Sequence, residues 1–582
     1  MNQDDILAFR IPLFFSRSNR TTEDNRTGDW AYVQPFYRDR TAPCSEACPC
    51  GTDIPRVETL AAQGQYQEAW QTILMENPLP GVCGRVCYHP CERACNRGSF
   101  DAPVAVHVLE RSLAEQAARN EAAHGLVPRA GSGKRVAILG SGPAGLAAAW
   151  FLARLGHACE IFEREPEPGG VLRWGIPAYR LPRPVLAREI QAIQDLGVPI
   201  HCGTAGDASL AERFDAVLVA CGFGQAMGLG VPGAELARDG LELLHQVRAG
   251  RAGQPGAPGA RVAVIGGGNT AIDVARTLLR QGQRPVLVYR RRREDMPAFA
   301  PEVERALAEG VELMELQAPA GLARDGAGIT LALRKMVSTG PGADGRRGVA
   351  PAPEPPTALT VAEVYAAVGS EAAPEWRKRL QDGPGQRFGR TTMVFRPRPA
   401  AFIGDLGTGP RDPKNVTEAI GSAKEAALAL DLLFRSGEAA VAPGLEACRV
   451  GGGPSLSMEI YLGGPRARRD RQVVQYGELN TAYFRQRARA QAPVLAPAAS
   501  LGSFDEVEGG LDPAEAAREA ERCFSCGTCN ECDNCRTFCP DVAVRLDGLG
   551  RRIETNYCKG CGVCVTECPR SAMAMSMEEG RP

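Results

Sequence analysis

Apolar positions between residues 131 and 440 follow one repeated pattern. Short runs of Val, Ala, Ile and Leu, such as those at 135–139 and 261–265, lead into a glycine-rich turn and then into a stretch with apolar residues at helical spacing. This alternation is typical of a parallel sheet with helices on both faces. The pattern therefore predicts an α/β body in the middle of the chain.

The segments that flank this body have different patterns. Residues 1–130 combine helical patches, such as 57–75, with many cysteines, whereas 441–515 show weak periodicity and many arginines. We interpret the second of these segments as a connecting arm that leads to a small cysteine-rich module. Within the body, the stretches at 250–260 and 340–356 have the Pro/Gly-rich composition of linkers.

Length and composition agree with several domains. The chain has 582 residues, of which 44% are hydrophobic, so it can form roughly three to five domains. Its net charge of −1 gives no overall positive field for nucleic acid. The acidic N-terminal segment is unlike a signal peptide, and no apolar stretch approaches the ~18 residues that a membrane span needs. We expect a cytoplasmic protein with no nucleic-acid partner and no membrane span.

The placement of the cysteines indicates metal sites. Of 21 cysteines, seven lie between Cys44 and Cys95 and ten between Cys523 and Cys568. Disulfide scaffolds are usually short and secreted, whereas two dense clusters around a cysteine-poor body suit metal ligands in a reducing compartment. The other cysteines are Cys159, Cys202, Cys221 and Cys448.

The C-terminal cysteines repeat one spacing twice. Each run has the form C-x2-C-x2-C-x3-C and is followed by a proline. In two-cluster ferredoxins, three closely spaced thiolates hold one [4Fe–4S] cluster and the fourth ligates the other cluster. The predicted ligand sets are Cys529, Cys532, Cys535 and Cys568 for one cluster, and Cys558, Cys561, Cys564 and Cys539 for the other. A zinc ribbon is the alternative, but it would use two separated CxxC pairs. Cys523 and Cys526 fit neither set, so they are either spare thiols or part of another site.

A glycine fingerprint for a dinucleotide follows the first apolar run of the body. Its positions are Gly140, Gly142, Pro143, Ala144 and Gly145. The glycines allow a tight turn, close approach of a pyrophosphate and close helix–strand packing, and the N-terminus of the next helix holds the phosphates. Glu163 ends the second strand, where an acid accepts hydrogen bonds from a ribose. We predict that this site binds FAD.

A second flavin element is predicted near the end of the body. Gly404 and Asp405 end a short apolar run, so the Asp405 carboxylate can hold the ribityl chain. Thr417 lies at the start of the helix that follows, and the N-terminus of this helix would stabilise negative charge on the reduced flavin ring. The alternative is a turn followed by an ordinary helix start.

A second fingerprint predicts a nicotinamide nucleotide site. Its small and polar positions are Gly266, Gly268, Asn269, Thr270 and Ala271. The next strand ends in Arg290 and Arg291, where the first site has an acid. Arginine forks suit a ribose 2′-phosphate, which favours NADP(H) over NAD(H). NAD(H), or a solvated basic loop, is the alternative.

Two dinucleotide folds in series, the second inserted into the first, are the arrangement of flavin disulfide reductases. A thioredoxin-reductase-type enzyme is therefore an alternative, but the body contains no CxxC. We expect Cys159, Cys202 and Cys221 to be small buried residues. Electrons that leave the flavin then need another route, which iron–sulfur clusters at both ends of the chain provide. No catalytic acid or base is predicted.

These motifs together predict a multidomain α/β protein with two Rossmann-like domains. The predicted units are an N-terminal helical iron–sulfur domain at 1–130, an FAD domain at 131–255 and 393–440, an inserted NAD(P)H domain at 256–392, the connecting arm at 441–515, and a bacterial-type 2[4Fe–4S] ferredoxin domain at 516–582.

Longer motifs carry a resemblance to a known family. The motifs are APCSEACP, GTDIPR, NPLPGVCGRVCYHPCERAC, HVLERSL, GSGPAG, GGVLRWGIPAYRLP, VIGGGNTAIDVAR, YRRRREDMPA and FIGD. They resemble the glutamate synthase small subunit family of NAD(P)H:FAD iron–sulfur oxidoreductases. They are also similar to the flavin half of dihydropyrimidine dehydrogenase and to the large subunit of NADH-dependent ferredoxin:NADP oxidoreductase. The resemblance implies that Gly170 and Arg173 belong to the FAD site.

The resemblance also implies ligands for N-terminal clusters. One family cluster corresponds here to Cys48, Cys87, Cys91 and Glu110. A second family cluster uses a CxxC upstream of Cys44, together with Cys44 and Cys95, but this sequence has no cysteine before Cys44. Cys50 and Cys83 are candidates to complete that second set. We expect one N-terminal [4Fe–4S] cluster, with a second as the alternative.

The resemblance implies hydride exchange between NADP(H) and FAD, with single-electron steps through the clusters. The C-terminal ferredoxin module departs from glutamate synthase small subunits. It suggests a subunit of a hetero-oligomeric complex that couples NADP(H) to ferredoxin or to a low-potential enzyme, such as a 2-oxoacid:ferredoxin oxidoreductase. The alternative is the small subunit of an NADPH-dependent glutamate synthase, which would need a large second chain.

Overall fold

The computed structural model describes most of the chain. The described residues are 28, 31–206, 210–251, 257–326, 328–341, 347–376, 378, 385–395, 398–409, 412–548 and 550–577. The N-terminal residues that are unlike a signal peptide, and part of the stretch at 250–260, lie outside them. In the part of the chain that is described, no helix is long and apolar enough to cross a membrane.

The N-terminal domain is built from short helices. Its α-helices are Pro43–Ala47, Ile54–Ala62, Tyr66–Glu76, Pro80–Val86, Pro90–Arg93 and Val106–Arg119, and Asn96–Ser99 is a 3-10 helix. The helical patch at 57–75 is divided in two, because Gly64 with a φ of 75° turns the chain between the second and third helices. Val57, Ile73, Leu109 and Leu113 meet in the core that these helices share.

A seven-stranded sheet forms the centre of the body. Its order is Gln386–Phe388, Thr391–Val394, Ala400–Phe402, Ala216–Val219, Arg135–Leu139, Ala158–Phe162 and Ile200–His201. The last five strands are parallel, and the first two add an antiparallel edge. Helices Pro143–Arg154, Arg183–Gln194 and Val416–Ser436 pack against it, with Val171–Trp174 and Leu210–Arg213 as shorter elements. The sheet and the helices Pro143–Arg154 and Val416–Ser436 share one apolar core with the N-terminal domain.

A second sheet lies in the part of the body between the two segments of the first. Its five parallel strands have the order Glu312–Glu315, Arg284–Tyr289, Arg261–Ile265, Glu363–Ala366 and Arg238–Asp239. Helices Gly240–Arg248, Asn269–Arg280 and Ala300–Glu309 cover it. A short antiparallel pair, Gln225–Ala226 with Ser370–Glu371, joins the strands that lead into and out of this part.

An antiparallel sheet packs on the other face of this second sheet. It consists of Gln317–Asp325, Gly328–Pro341, Arg347–Pro351 and Thr357–Val361. The interpretation of 340–356 as a linker is therefore wrong for Arg347–Pro351, which pairs with Gly328–Pro341, whereas 342–346 lie outside the described residues. Composition misled here because an exposed edge strand tolerates Pro and Gly that an interior strand would not.

The arm and the C-terminal module return to the N-terminal domain. The arm contains helices Val441–Ala447, Met458–Tyr461 and Pro497–Leu501 and strand Asp470–Val473, which pairs with Arg40–Thr41. Helix Pro513–Ala520 packs on Ile54–Ala62. The module itself has helices Asn534–Thr537 and Val563–Thr566, a hairpin of Val544–Asp547 with Gly550–Ile553, and strand Met573–Met577. This last strand pairs with Val33–Tyr37, so both ends of the described chain meet in one sheet.

Candidate functional site

The first glycine fingerprint forms a cradle at the carboxyl edge of the seven-stranded sheet. A Cβ on Gly145 would lie 1.9 Å from the carbonyl oxygen of Gly140, so this position brings helix and strand into direct contact. A Cβ on Gly142, in contrast, would meet no other atom within 4 Å. The space above Gly142 is therefore open, as the approach of a pyrophosphate to the helix N-terminus requires. Pro143 is the first residue of that helix, and Ala144 and Gly145 are buried in its first turn.

Residues that follow the second strand close around this cradle. Oε2 of Glu163 accepts a hydrogen bond of 2.8 Å from the backbone N of Ser141, within the fingerprint. A Cβ on Gly170 would lie 2.8 Å from the Cα of Gly142, so Gly170 also borders the cradle. Arg173 is buried, and its Nη1 donates to Glu167 at 2.6 Å. The predicted FAD residues of this half are thus brought together, with the Arg173 guanidinium held by an acid of the same loop.

The second flavin element lies beside the first. Gly404 has a φ of 65°, and a Cβ there would lie 3.1 Å from the Cβ of Ala144. Burial raises the pKa of Asp405, and Lys414 opposes this rise. A half-buried carboxyl next to the cradle suits hydrogen bonding to a hydroxylated chain. Thr417 is the second residue of helix Val416–Ser436, which Asn415 caps by accepting from the backbone N of Glu418 at 3.0 Å.

The predicted ligands of the N-terminal cluster line a single cavity. The wall of this cavity includes Cys48, Cys87, Cys91 and Glu110. Thr417 lines it too, and its Oγ1 lies 3.8 Å from the Sγ of Cys87. The N-terminus of the helix at the second flavin element therefore borders the cluster cavity directly.

The electrostatics of this cavity suit a bound cation. Burial, and then the nearby Cys48, raise the pKa of Glu110 to about 8, although a hydrogen bond of 2.7 Å from Asn77 opposes this. Burial also raises the pKa of the Cys87 thiol, and it is the main cause of the raised pKa of Cys91. The pKa of Cys48 is lowered to about 6, chiefly by a hydrogen bond with Cys50. The other thiols and the carboxyl become anionic readily only when a metal compensates their charge. The donor set of three sulfurs and one carboxylate thus fits an iron–sulfur cluster.

One residue of this cavity was missed in the sequence. Glu58 is 1% exposed, lines the cavity, and neither of its carboxylate oxygens has a hydrogen-bond partner among the described residues. Nothing in the amphipathic pattern of helix Ile54–Ala62 marks this glutamate as buried. Cys50 and Cys83 share an apolar core with Cys87, whereas Cys44 belongs to another. Cys50 lines the cavity itself, and the Sγ of Cys83 lies 3.7 Å from Oδ1 of Asn77 in its wall, so the two do not complete a ligand set with Cys44.

The second fingerprint has the same construction on the five-stranded sheet. Gly266 has a φ of 150°, and a Cβ there would lie 2.3 Å from the carbonyl oxygen of Ala367. A Cβ on Gly268 would meet no atom within 4 Å. Helix Asn269–Arg280 begins there and includes Thr270 and the buried Ala271, while Oδ1 of Asn269 accepts from the backbone N of Phe299 at 3.0 Å. Arg290 is exposed and Arg291 half-buried at the end of the neighbouring strand.

The C-terminal cysteines form two groups in the described module. Cys539, Cys558, Cys561 and Cys564 line one pocket. The second group is Cys529, Cys532, Cys535 and Cys568. Burial raises the pKa of Cys529, and the nearby Cys535 and Cys568 raise it further. Burial also raises the pKa of Cys535, and the nearby Cys532 and Cys568 add to that rise. In each group, the last cysteine of one run therefore lies with the first three of the other run.

The cysteines of the body behave differently from the sequence-based expectation. Cys159 is buried, as expected, but Cys202 and Cys221 are exposed, so the expectation was wrong for these two. Both lie just after short strands, where the chain emerges at the carboxyl edge of the sheet. All cysteines in the described part of the chain are free thiols, which agrees with metal-binding rather than disulfide roles.

Comparisons with known proteins agree with this arrangement. The family model described as dihydropyrimidine dehydrogenase domain II, 4Fe-4S cluster, matches residues 38–122, and the model for pyridine nucleotide-disulphide oxidoreductase matches residues 134–380. The chain is an NAD(P)H-dependent oxidoreductase with an FAD-binding α/β body and an N-terminal iron–sulfur domain. It belongs to the family of electron-transferring flavin and iron–sulfur subunits that includes the small chain of glutamate synthase.

Three relatives show how much of the chain is similar to known members of this family. The chain is 35% identical over 535 residues to the NADP(+)-dependent formate dehydrogenase subunit beta of Moorella thermoacetica, covering 84% of this chain and 71% of the relative. It is 33% identical over 534 residues to the NADPH-Fe(3+) oxidoreductase subunit beta of Geobacter sulfurreducens, covering 85% and 76%. To the glutamate synthase [NADPH] small chain of Escherichia coli it is 34% identical over 325 residues, covering 52% and 69%.

Proposed function

We propose that this chain is the electron-transfer subunit of a larger complex, in which electrons pass between NADP(H), FAD, an N-terminal cluster and a C-terminal two-cluster ferredoxin module. The observation that supports the proposal most directly is the position of Thr417. It belongs to the helix N-terminus beside the flavin cradle, and it also lines the cavity of Cys48, Cys87, Cys91 and Glu110. A flavin and a cluster held in these two places would be neighbours.

The residues of the flavin site have separate tasks. Gly140, Gly142 and Gly145 bring the helix N-terminus to the pyrophosphate, and Glu163 accepts from the ribose. Asp405 holds the ribityl chain, and the dipole of helix Val416–Ser436 stabilises negative charge on the pyrimidine side. FAD supplies the conversion between hydride transfer and single-electron transfer when it is bound.

The inserted part of the body is proposed to bind NADP(H). We assign the two parallel sheets to two Rossmann-like domains. The inserted sheet includes Arg238–Asp239, within the predicted FAD segment 131–255, and Gln386–Phe388 of the predicted insertion 256–392 belongs to the first sheet. Arg290 and Arg291 follow the second strand of the inserted sheet, at the position from which they could bind a ribose 2′-phosphate. The names of the first two relatives both specify NADP, which supports this choice over NAD(H).

The C-terminal module is proposed to hold two [4Fe–4S] clusters. Their ligands are the two mixed groups already described, Cys529, Cys532, Cys535 and Cys568, and Cys558, Cys561, Cys564 and Cys539. Because the module packs against the N-terminal domain and leaves several of its cysteines exposed, it could pass electrons to an external partner. We propose ferredoxin or a low-potential oxidoreductase as this partner. The relative from Moorella, a subunit of a formate dehydrogenase, supports a partner of this kind.

The small subunit of a glutamate synthase is the second candidate function. The identity to the Escherichia coli small chain supports it, but that match covers 52% of this chain, which carries a further cysteine-rich module. Purification from the native cell with identification of co-eluting subunits separates the two. Recovery of a glutamate synthase large chain alone would overturn the assignment to a low-potential partner.

Anaerobic reduction tests the electron path. We expect NADPH to bleach the flavin absorbance and then to produce electron paramagnetic resonance signals of reduced [4Fe–4S] clusters. NADH at equal concentration should react more slowly. Flavin bleaching without any cluster signal, under conditions in which dithionite does produce one, would contradict the proposed path.

A further inference from the structure

Four cysteines from three segments of the chain come together where the N-terminal domain contacts the C-terminal part: Cys44, Cys95, Cys523 and Cys526. The resemblance already connects Cys44 and Cys95 with a second family cluster, but it assigns neither Cys523 nor Cys526. We propose that the four cysteines bind an additional [4Fe–4S] cluster, which lies between the cavity of Cys48, Cys87, Cys91 and Glu110 and the C-terminal ferredoxin module. This inference rests on the proposed function only for the role of the cluster, because the binding site itself is defined by the four thiols.

The grouping of the four thiols is seen in the packing around them. Cys44 and Cys526 are buried in one apolar cluster, and Cys95 and Cys523 both pack against the neighbouring cluster, which contains Val57 and Ala61. Asn96, the residue after Cys95, donates through Nδ2 to the Sγ of Cys526 at 3.5 Å. Four thiols held together in this way can bind an iron–sulfur cluster as thiolates.

The local backbone holds the pair Cys523 and Cys526 as a chelating loop. Ser525, between them, has a φ of 50°, and its backbone N donates to the Sγ of Cys523 at 3.3 Å. Nδ2 of Asn96 donates to the Sγ of Cys526 at 3.5 Å. Donors aimed at sulfur are a feature of iron–sulfur sites, where they tune the reduction potential.

Buried contacts fix this loop against the N-terminal domain, so the meeting of the thiols is specified by the fold. Arg522 is 2% exposed, and its Nη2 lies 3.0 Å from Oδ1 of Asp101. Its carbonyl oxygen accepts from Nη1 of Arg97 at 2.6 Å. Oε1 of the buried Glu519 accepts from the backbone N of Ala105 at 2.8 Å. These contacts join the segment that follows Cys95 to the helix end that precedes Cys523.

The proposed site lies between the N-terminal cavity and the ferredoxin module. On one side, Cys44 is buried in the same apolar cluster as Cys91 of the N-terminal cavity. On the other, Cys526 is followed by only Gly527 and Thr528 before Cys529, the first predicted ligand of the ferredoxin module. Gly527 is held on both sides, since its N donates to Arg570 and its O accepts from Arg40, each at 2.7 Å. A cluster here would stand between the two places where clusters are already proposed.

The test is a double substitution, C523S/C526S, in the full chain, with C448S as the matched control. Cys448 is also buried, but its Sγ donates to the carbonyl oxygen of Gly444 at 3.1 Å. We expect the double variant to lose about four irons and four sulfides per chain and one set of paramagnetic signals, while retaining FAD and flavin reduction by NADPH. The control should lose none of these.

Three results would overturn the proposal: unchanged iron and sulfide content in the double variant, loss of about one zinc per chain instead of iron, or the same iron loss in C448S. Each of them can be recorded while NADPH still reduces the flavin, so the proposed function would survive. If the proposed function fails instead, NADPH will not reduce the flavin of the unsubstituted protein, whatever its iron content.

A milder variant covers the case in which the double variant does not fold. Asn96→Ala removes one donor to Cys526 and leaves all four thiols in place. We expect full iron content and a more negative midpoint potential for one cluster, measured by potentiometric titration of the paramagnetic signals. Identical potentials for all clusters in Asn96→Ala and the unsubstituted protein would contradict the assignment of Cys526 as a ligand.

Discussion

The Oγ1 of Thr417 lies 3.8 Å from the Sγ of Cys87, although the two residues are 330 positions apart in the sequence. Thr417 belongs to the flavin half of the molecule and Cys87 to the helical N-terminal domain. Their contact lies at an interface in which both parts share one apolar core. The junction is therefore part of the buried core of the fold.

The first prediction concerns this contact. Thr417→Val keeps the shape of the side chain but removes the hydroxyl, which donates to Oδ1 of Asn415 at 2.9 Å and accepts from the Cys87 thiol at 3.8 Å. When Cys87 binds iron as a thiolate, this hydroxyl can rotate to donate to the sulfur. We expect a more negative midpoint potential for the N-terminal cluster, because a hydrogen bond to the ligand sulfur stabilises the reduced form. Potentiometric titration followed by electron paramagnetic resonance measures this shift.

Thr72→Val is the matched control for Thr417→Val. The hydroxyl of Thr72 is also buried, but it donates to the carbonyl oxygen of Glu68 in its own helix, at 2.8 Å. We expect no change in any cluster potential for this variant. Equal potentials in both variants would show that Thr417 does not interact with the cluster ligand.

The fingerprint glycines could be predicted from the sequence because their chemistry is local. Gly140, Gly142 and Gly145 lie within six residues. The structural role of each glycine follows from the strand that precedes the fingerprint and the helix that follows it. The spacing of the C-terminal cysteine runs is equally local, and it suggested the mixed ligand groups that the structure brings together.

Long-range proximity could not be predicted in the same way. Nothing near Cys523 in the sequence indicates that it lies beside Cys44, because this depends on how the arm returns across the N-terminal domain. The burial of Glu58 is likewise a result of packing from several elements. Exposure of Cys202 and Cys221 depends on the sheet edge at which each strand ends, which the strand pattern alone does not define.

The second prediction separates the two kinds of glycine in the FAD fingerprint. Gly145→Ala would force a Cβ to within 1.9 Å of the Gly140 carbonyl, so we expect destabilisation of about 1–3 kcal/mol, measured by chemical unfolding of FAD-depleted protein. Gly142→Ala meets no protein atom, and its φ of −66° suits alanine. It should leave stability nearly unchanged but weaken FAD binding roughly tenfold or more, or about 1.4 kcal/mol. Normal FAD affinity in Gly142→Ala would place the pyrophosphate elsewhere.

The third prediction tests the choice of nucleotide. Arg290→Gln removes an exposed guanidinium at the end of strand Arg284–Tyr289, and we expect kcat/KM for NADPH to fall roughly 10- to 100-fold, the range for a charge-assisted hydrogen bond. The value for NADH should change little. Arg284→Gln, about 20 Å away at the start of the same strand, is the control and should affect neither nucleotide. An equal loss for NADPH and NADH would contradict recognition of a 2′-phosphate.

The fourth prediction concerns a buried ion pair that joins the N-terminal domain to the flavin helix. Nζ of Lys424 pairs with Oε2 of Glu76, and both side chains are 1% exposed. Lys424 also donates to the carbonyl oxygen of Leu456 at 3.3 Å, whereas Glu76 accepts from the backbone N of Met458 at 2.8 Å. Lys424→Met leaves a buried carboxylate without its main countercharge, and we expect a loss of about 3–5 kcal/mol in the free energy of unfolding.

Two further variants distinguish the cost of an unpaired charge from the cost of altered packing. In the double variant K424M/E76Q both members of the pair are uncharged, so part of the lost stability should return. The return stays partial because the buried Arg466, whose Nη1 lies 3.5 Å from Oε1 of Glu76, then loses this acidic partner. Lys134→Met breaks an ion pair between Lys134 and Asp215, the side chains of which are 41% and 36% exposed. This variant should lose no more than about 1 kcal/mol in the free energy of unfolding. If K424M/E76Q is as unstable as the sum of its single variants, the two residues contribute independently and the ion pair does not hold the domains together.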